Sequence, residues 1–336
     1  MSISLKTEEN RPKILVILGP TASGKSELAV KIARKYNGEI ISADSRQVYK
    51  GLDIGSGKVP RDKSNDRPTP HSLLPTPYLY KGILHHLLDV ASPKRTFTVV
   101  QFQKLGYAAI KKIFAKGKLP IICGGTGLYI DALLNDAQFP NVKPNQKLRR
   151  ALERHSAKTL FEKLKKLDPH RAMAIDRHNK HRLIRAIEIV ATTGNIVPPL
   201  PSKKAYSNVL ENIGISHKSV IKIGLKMVPE ELKKRIHARL VRRLREGMIE
   251  EIAQLRKNGL SWKRLDDLGM EYRFVSRFVR GLITKQEMQD AIERESSRYA
   301  KRQMTWWKRD KNIAWFKNAR AAEKTARIVL TSHHRL

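Results

Sequence analysis

The sequence predicts an α/β protein: a parallel sheet flanked by helices, with an all-helical segment inserted into it. Three observations carry this. A short apolar run leads into Gly19-Pro20-Thr21-Ala22-Ser23-Gly24-Lys25-Ser26, which fits G-x-x-x-x-G-K-[ST] and opens a helical stretch, giving a P-loop NTPase-like start. Further runs of Ile, Val and Leu alternate with helical patterns, as in a parallel sheet covered on both faces. Between 141 and 189 the apolar period becomes helical throughout.

Taken in order, residues 13–18 read as a buried strand and 25–36 as the helix after it. A second strand, 39–43, ends at Asp44; a third, 119–122, ends at Cys123-Gly124-Gly125-Thr126-Gly127; 220–225 and 313–316 read as later strands. The stretch 55–80 is crowded with Pro, Ser, Asp and Lys, has no period, and reads as a long surface loop. In the insert, Leu148 and Leu152 mark one helix, and Leu160, Phe161 and Leu164 a second that stops at Asp168-Pro169. Leu183, Ile184 and Ile187 mark a third, ending at Gly194, and 197–219 reads as a linker. Pro229 and Glu230 open an amphipathic helix with Leu232, Ile236, Leu240 and Leu244 four apart, broken at Gly247. A last helical region, 285–309, carries Ala300-Lys301-Arg302-Gln303-Met304-Thr305-Trp306-Trp307. The expected organisation is a discontinuous core of 11–140 and 219–320, a helical insertion over 141–200, and tails at 1–10 and 321–336.

Composition narrows the partners. Lys and Arg number 67 against 31 Asp and Glu, a formal net charge of +36. Self-repulsion at that charge opposes compaction, so a phosphate-rich partner is the simplest reason for it. The single cysteine, Cys123, excludes disulfides and Cys-based zinc fingers within this sequence. Residues 1–11 are polar with no apolar h-region, and no apolar run has the length of a membrane span. A reduced, cytoplasmic compartment is expected.

The P-loop offers backbone N–H groups and a helix N-terminus to phosphate oxygens. Lys25 would neutralise phosphate charge and the Ser26 hydroxyl would ligate Mg²⁺. A P-loop hydrolase places a carboxylate at the end of a second apolar strand, yet 119–122 runs into glycines and Thr126. The acid at a strand end is Asp44, open to three readings: metal holder, general base, or cap of the turn behind it. Hydrolysis is therefore the less favoured use of this loop. Gly124-Gly125-Thr126-Gly127 would bring backbone and one hydroxyl close to a ligand, and Arg235 and Arg239, one turn apart, could reach a departing phosphate group. His85-His86 and the His178/His181 pair lack further ligands at metal spacing and read as ordinary polar residues.

After the P-loop come Asp44-Ser45-Arg46-Gln47-Val48-Tyr49, Gly51-Leu52-Asp53-Ile54-Gly55 and His85-His86-Leu87-Leu88-Asp89. Gly124-Gly125-Thr126-Gly127-Leu128-Tyr129, Arg182-Leu183-Ile184-Arg185-Ala186-Ile187-Glu188 and the Ala-Lys-Arg-Gln-Met-Thr-Trp string follow. This ordered set resembles the tRNA dimethylallyltransferase (tRNA isopentenyltransferase) family, bacterial type, over about residues 13–316. The resemblance implies transfer of a dimethylallyl group from its diphosphate, with Mg²⁺, to the exocyclic amine of adenosine 37 in the anticodon stem-loop of tRNA. It implies Asp44 as general base, Thr126 in the channel between the substrates, and Arg239, with Arg235, at the diphosphate. It also implies that Asp44, Ser45, Arg46 and Gln47 contact the target base region, and that Arg149, His181, Arg182, Leu183, Ile184 and Arg185 contact tRNA. Departures are Ser56 where the family has Thr, a longer loop after Lys58, and Leu268-Gly269-Met270-Glu271-Tyr272 in place of Leu-Gly-Tyr-Lys-Glu.

Three other readings make different predictions. A small-molecule kinase using ATP would leave the +36 charge unexplained. An isopentenyltransferase acting on free adenine nucleotides would need no helical insert. A non-catalytic RNA-binding protein would have no use for a P-loop together with Asp44. A monomer with no membrane attachment is expected.

Overall fold

The computed structural model describes residues 13–63, 77–135, 139–140, 142–196, 208–212, 215–216 and 219–331. The centre is β1 (Ile14–Leu18), five aliphatic residues buried on both faces, followed by the P-loop and α1 (Lys25–Lys35). Next come β2 (Gly38–Ala43), a short hairpin of β3 (Tyr78–Tyr80) and β4 (Ile83–His86), α2 (Val99–Ala115), β5 (Leu119–Gly124) and α3 (Gly127–Leu134). The insert holds α4 (Gln146–Glu153), α5 (Ala157–Leu167), α6 (Pro169–Ala174) and α7 (Lys180–Thr193). After the short α8 (Asn208–Glu211) the chain returns to the sheet as β6 (Val220–Leu225). It then runs through α9 (Pro229–Arg245), α10 (Met248–Lys257), α11 (Trp262–Leu268), α12 (Met270–Val279) and α13 (Lys285–Trp307) to β7 (Ile313–Phe316) and α14 (Ala319–Thr331).

The seven strands lie in the order β3-β4-β2-β5-β1-β6-β7, parallel except at the β3–β4 pair. Alternate residues of each strand feed two cores, as the two-residue period of a strand requires. Val16, Leu18, Ile41 and Ile122 pack with α2 residues Phe102, Ile110 and Ile113. Leu15, Ile17, Ile40, Ile121 and Cys123 pack with Leu28 and Ile32 of α1 and with Ala322 and Ala326 of α14. Packing separates two compact units, with boundaries after Leu134 and after Ala205. The second unit has its own core of Leu152, Leu160, Leu164, Leu183 and Ile187.

The structure departs from the expected elements in identifiable places. Residues 319–331, all but the first two of them in the expected 321–336 tail, form α14, whose small Ala322 and Ala326 are fully buried. The expected 55–80 loop ends in strand β3, which turns into β4 through Lys81 and Gly82, both left-handed (φ 52° and 75°). Residues 64–76 of that loop and most of the 197–219 linker lie outside the described residues. Helix α2 has a Thr98/Gln101 capping box that marks its start. His86 is more than an ordinary polar residue: its Nε2 donates to the buried Glu39 carboxylate at 2.7 Å, which also accepts from Lys116 and Lys118. Burial alone would raise the Glu39 pKa, but the hydrogen bonds from Lys116, His86 and Lys118 hold it at about 2. Among the described residues no helix is long and apolar enough to cross a membrane.

Candidate active site

The site forms where β1, β2 and β5 end side by side, with Leu18 and Ala43 both paired to Gly124. Ala22 (φ 63°) and Gly24 (φ 87°) are left-handed, which folds the P-loop back so that α1 begins at Lys25. Gly19 must be glycine because a Cβ there would lie 2.8 Å from Leu225 O and from Ser23 Oγ. Ser23 Oγ is buried with no partner inside this loop. Lys25 Nζ bends to Pro20 O at 3.2 Å. Desolvation lowers the Lys25 pKa and Arg239 adds to the fall, while Cys123 and Asp44 oppose it. Burial pushes the Cys123 thiol, which lies beside Ser26, up to about 11, so it is a packing group and not a nucleophile.

Asp44 caps the turn that follows β2: its Oδ1 accepts from Arg46 N at 2.8 Å and Gln47 N at 3.4 Å. The turn and base readings are compatible, since one carboxylate oxygen holds the turn and leaves the other for chemistry. Thr126 is stitched to the same place. Its Oγ1 accepts from Ser45 N at 3.1 Å and its N–H donates to Ala43 O at 3.1 Å. The Gln47 side chain is engaged within the protein, donating to Gly57 O and accepting from Ser42 Oγ, both at 3.1 Å. Tyr299 of α13, which the sequence reading missed, lies beside Thr126, and burial together with the Asp44 charge pushes its hydroxyl up to about 12.

Helix α9 supplies the arginines. Burial pushes Arg239 down to about 9, Arg243 adds to the fall, and Glu271 and Asp44 pull the other way. Arg235 pairs with Glu231 at 2.8 Å and reaches to within 3.9 Å of where a Gly24 Cβ would stand. With Lys25, Arg239 makes a site rich in positive charge and poor in counter-charge, the condition that an anionic ligand relieves.

Buried charges hold the loop behind Asp44. Glu251 of α10 accepts from the backbone N–H groups of Asp53, Ile54 and Gly55 at 2.6–3.0 Å, and Tyr272 donates to it at 3.2 Å. Arg243 bonds Gly55 O and Glu271, and the buried Lys58 ammonium donates to Tyr49 O, Asp53 and Asp89. Glu251→Ala leaves three N–H groups without their acceptor and should cost about 2–4 kcal/mol in urea unfolding. A loss below about 0.5 kcal/mol would show that the loop is held by other contacts.

In the helical unit, the segments assigned to tRNA divide. His181 and Arg182 are exposed at the start of α7. Leu183 (0% exposed) and Ile184 (5%) are core residues of that unit, so their side chains cannot reach RNA. Arg149 and Arg185 are organised by the fully buried Glu188. Arg149 meets it twofold (2.8 and 2.6 Å), Arg185 at 2.6 Å, and Asn145 N donates at 2.7 Å. Burial alone would raise the Glu188 pKa; the two guanidiniums and the N–H hold it at about 2. Because the folded value lies below the ordinary 4.5, this stabilisation is complete above pH 4.5 and is lost as pH falls through about 2. Glu188→Gln should lower the wild-type stability by about 1–3 kcal/mol at pH 7, with the gap to wild type closing in acid. Thermal melts across pH check it; an unchanged gap at low pH would refute the assignment.

Comparison with known proteins decides the family. The IPP transferase family model matches residues 47–310, and an isopentenyl transferase model matches residues 12–72. A tRNA dimethylallyltransferase of Anoxybacillus flavithermus is 38% identical over 90% of each chain. The chain belongs to the tRNA dimethylallyltransferase (IPP transferase) family. The crystal structure of the tRNA isopentenylpyrophosphate transferase of Bacillus halodurans matches at TM-score 0.64 and 31% identity, covering 96% of this chain and 97% of the other. A eukaryotic dimethylallyltransferase crystallised acting on tRNA matches at TM-score 0.67 and 25% identity, covering 96% of this chain and 77% of its own. Family membership fits the P-loop NTPase-like sheet and the motif order. One further residue stands out. Gln303 of α13 accepts from Thr21 N and donates to Gly125 O, touching both turns of the site. Its signal in the sequence was its place in the Ala300–Trp307 string.

Proposed function

We propose that this protein transfers the dimethylallyl group of dimethylallyl diphosphate to the exocyclic amine of adenosine 37 in tRNA. The observation that carries the reading is the pairing of two undercompensated cations, Lys25 and Arg239, with the Asp44 carboxylate and Thr126 hydroxyl at the ends of adjoining strands. As the allylic C–O bond breaks, negative charge grows on the diphosphate, and the P-loop N–H groups, Lys25, Arg239 and Arg235 stabilise it. The amine nitrogen forms the new C–N bond, and Asp44 takes the proton it sheds. Thr126 lines the channel between the two substrates. The Ser26 hydroxyl, at the start of α1, would hold Mg²⁺, which would add charge neutralisation at the leaving group.

The acceptor is the anticodon stem-loop. Adenosine 37 leaves the loop stack to enter the channel, where the 44–47 turn meets it. Exposed His181 and Arg182, with Arg149 and Arg185, contact the RNA, and the net charge of +36 suits that partner. The protein works as a cytoplasmic monomer. Incubation with radiolabelled dimethylallyl diphosphate, Mg²⁺ and either unmodified tRNA or AMP tests the reading. Label should enter tRNA and not AMP. Label in AMP alone, or ATP turnover with label in neither acceptor, would refute it.

A further inference from the structure

Beyond their strands, the P-loop and the Gly124–Gly127 turn are each irregular, yet dimethylallyl transfer needs their groups at a fixed separation. β1 and β5 are in register up to Leu18 and Gly124, after which the backbone ladder ends. Gln303 bridges the gap. Its Oε1 accepts from Thr21 N at 2.9 Å, and its Nε2 donates to Gly125 O at 2.7 Å. The side chain is 5% exposed, 282 residues from one partner and 178 from the other. No rotation of the amide satisfies both partners except this one, because one must accept and the other donate.

The surroundings are shaped to this side chain. A Cβ on Gly125 would come within 2.3 Å of Gln303 Nε2. A Cβ on Gly127 would come within 2.4 Å of Trp306, one turn along α13, whose Nε1 donates to Asp131 at 2.9 Å. Tyr299, one turn back on the same helix, lies beside Thr126. One face of α13 therefore runs along the whole turn that carries Thr126. Thr126 in turn is bonded to Ser45 beside Asp44.

We propose that Gln303 is a positioning residue for group transfer: it fixes the P-loop against the Thr126 turn, setting the distance between the diphosphate cradle and the Asp44–Thr126 pair. It touches neither substrate. The Thr21 N–H is spent on Gln303, so this donor does not face the phosphates, and the loop's geometry depends on a residue far along the chain. The proposal rests on the transferase reading given above.

The test is steady-state transfer with radiolabelled dimethylallyl diphosphate and tRNA, run on wild type, Gln303→Leu and Gln303→Glu. Gln303→Leu loses both bonds. Gln303→Glu keeps the size and the acceptor for Thr21 N but sets an oxygen against Gly125 O, so it reports on alignment if the leucine variant folds poorly. Reacting groups displaced from their attack geometry lose rate steeply, so kcat should fall roughly ten- to hundredfold in both variants. The Kd for tRNA should stay within about twofold of wild type, and kcat per folded protein should fall in both variants, whatever the change in melting temperature. A wild type that transfers normally, with Gln303→Glu retaining its kcat, would overturn the proposal. So would a fall in kcat accounted for by an equal loss of folded protein in both variants. A wild type that transfers nothing to tRNA would instead refute the transferase reading itself.

Discussion

Asp44→Ala is expected to lower transfer to tRNA by roughly 10²–10⁴-fold, the range over which a positioned general base contributes. The alanine variant alone is ambiguous, because Asp44 also caps the Arg46–Gln47 turn through Oδ1. Asp44→Asn separates the roles. An amide oxygen still accepts from Arg46 N, so the turn persists, but the side chain can no longer take a proton at neutral pH. If Asp44 is the base, the asparagine variant falls nearly as far as the alanine variant, and filter binding shows tRNA affinity largely kept. If Asp44→Asn retains near-normal kcat, the carboxylate is a turn residue and the base lies elsewhere.

Lys25→Ala is the second large effect. Lys25 stands at the first residue of α1, where desolvation and Arg239 both lower its pKa, so in the free protein its charge is held at a cost that a bound diphosphate would relieve. Removing it should cut kcat/KM for dimethylallyl diphosphate by roughly 10²–10³-fold, the scale of losing one preorganised charge stabiliser at a leaving group. The KM for tRNA should move little. A Lys25→Ala enzyme with unchanged kcat/KM for the diphosphate would mean that the phosphates lie outside this loop. Lys25→Arg should not restore activity, because a planar guanidinium fork does not reproduce the compact ammonium that bonds Pro20 O at 3.2 Å.

Much of this arrangement was legible in the sequence because it rests on local rules. The P-loop spacing with its preceding apolar run located β1, α1 and the turn between them, and the Gly194 and Gly247 breaks fell at left-handed residues. What stayed hidden depends on contacts distant along the chain. Nothing local marks Glu251 as the acceptor for three N–H groups some 200 residues away, or Gln303 as the link between two turns. The tRNA contacts that the resemblance implied for Leu183 and Ile184 fall short for a similar reason. Leu183 and Ile184 sit among basic residues yet face the core, while the acid of the motif, Glu188, is what orients Arg149 and Arg185. Helix α14 was not legible because Ala322 and Ala326 are too small to create an apolar signal, although their size is what lets α14 pack closely on the sheet.

The central claim is that this P-loop holds phosphates that are discarded and not transferred. A dimethylallyl diphosphate labelled with ¹⁴C in the alkyl group and ³²P in the diphosphate tests it directly, with unmodified tRNA as acceptor. The expected result is ¹⁴C in adenosine 37 and ³²P as free diphosphate, in equal amounts. Recovery of ³²P in the acceptor, or diphosphate release without ¹⁴C in tRNA, would contradict it.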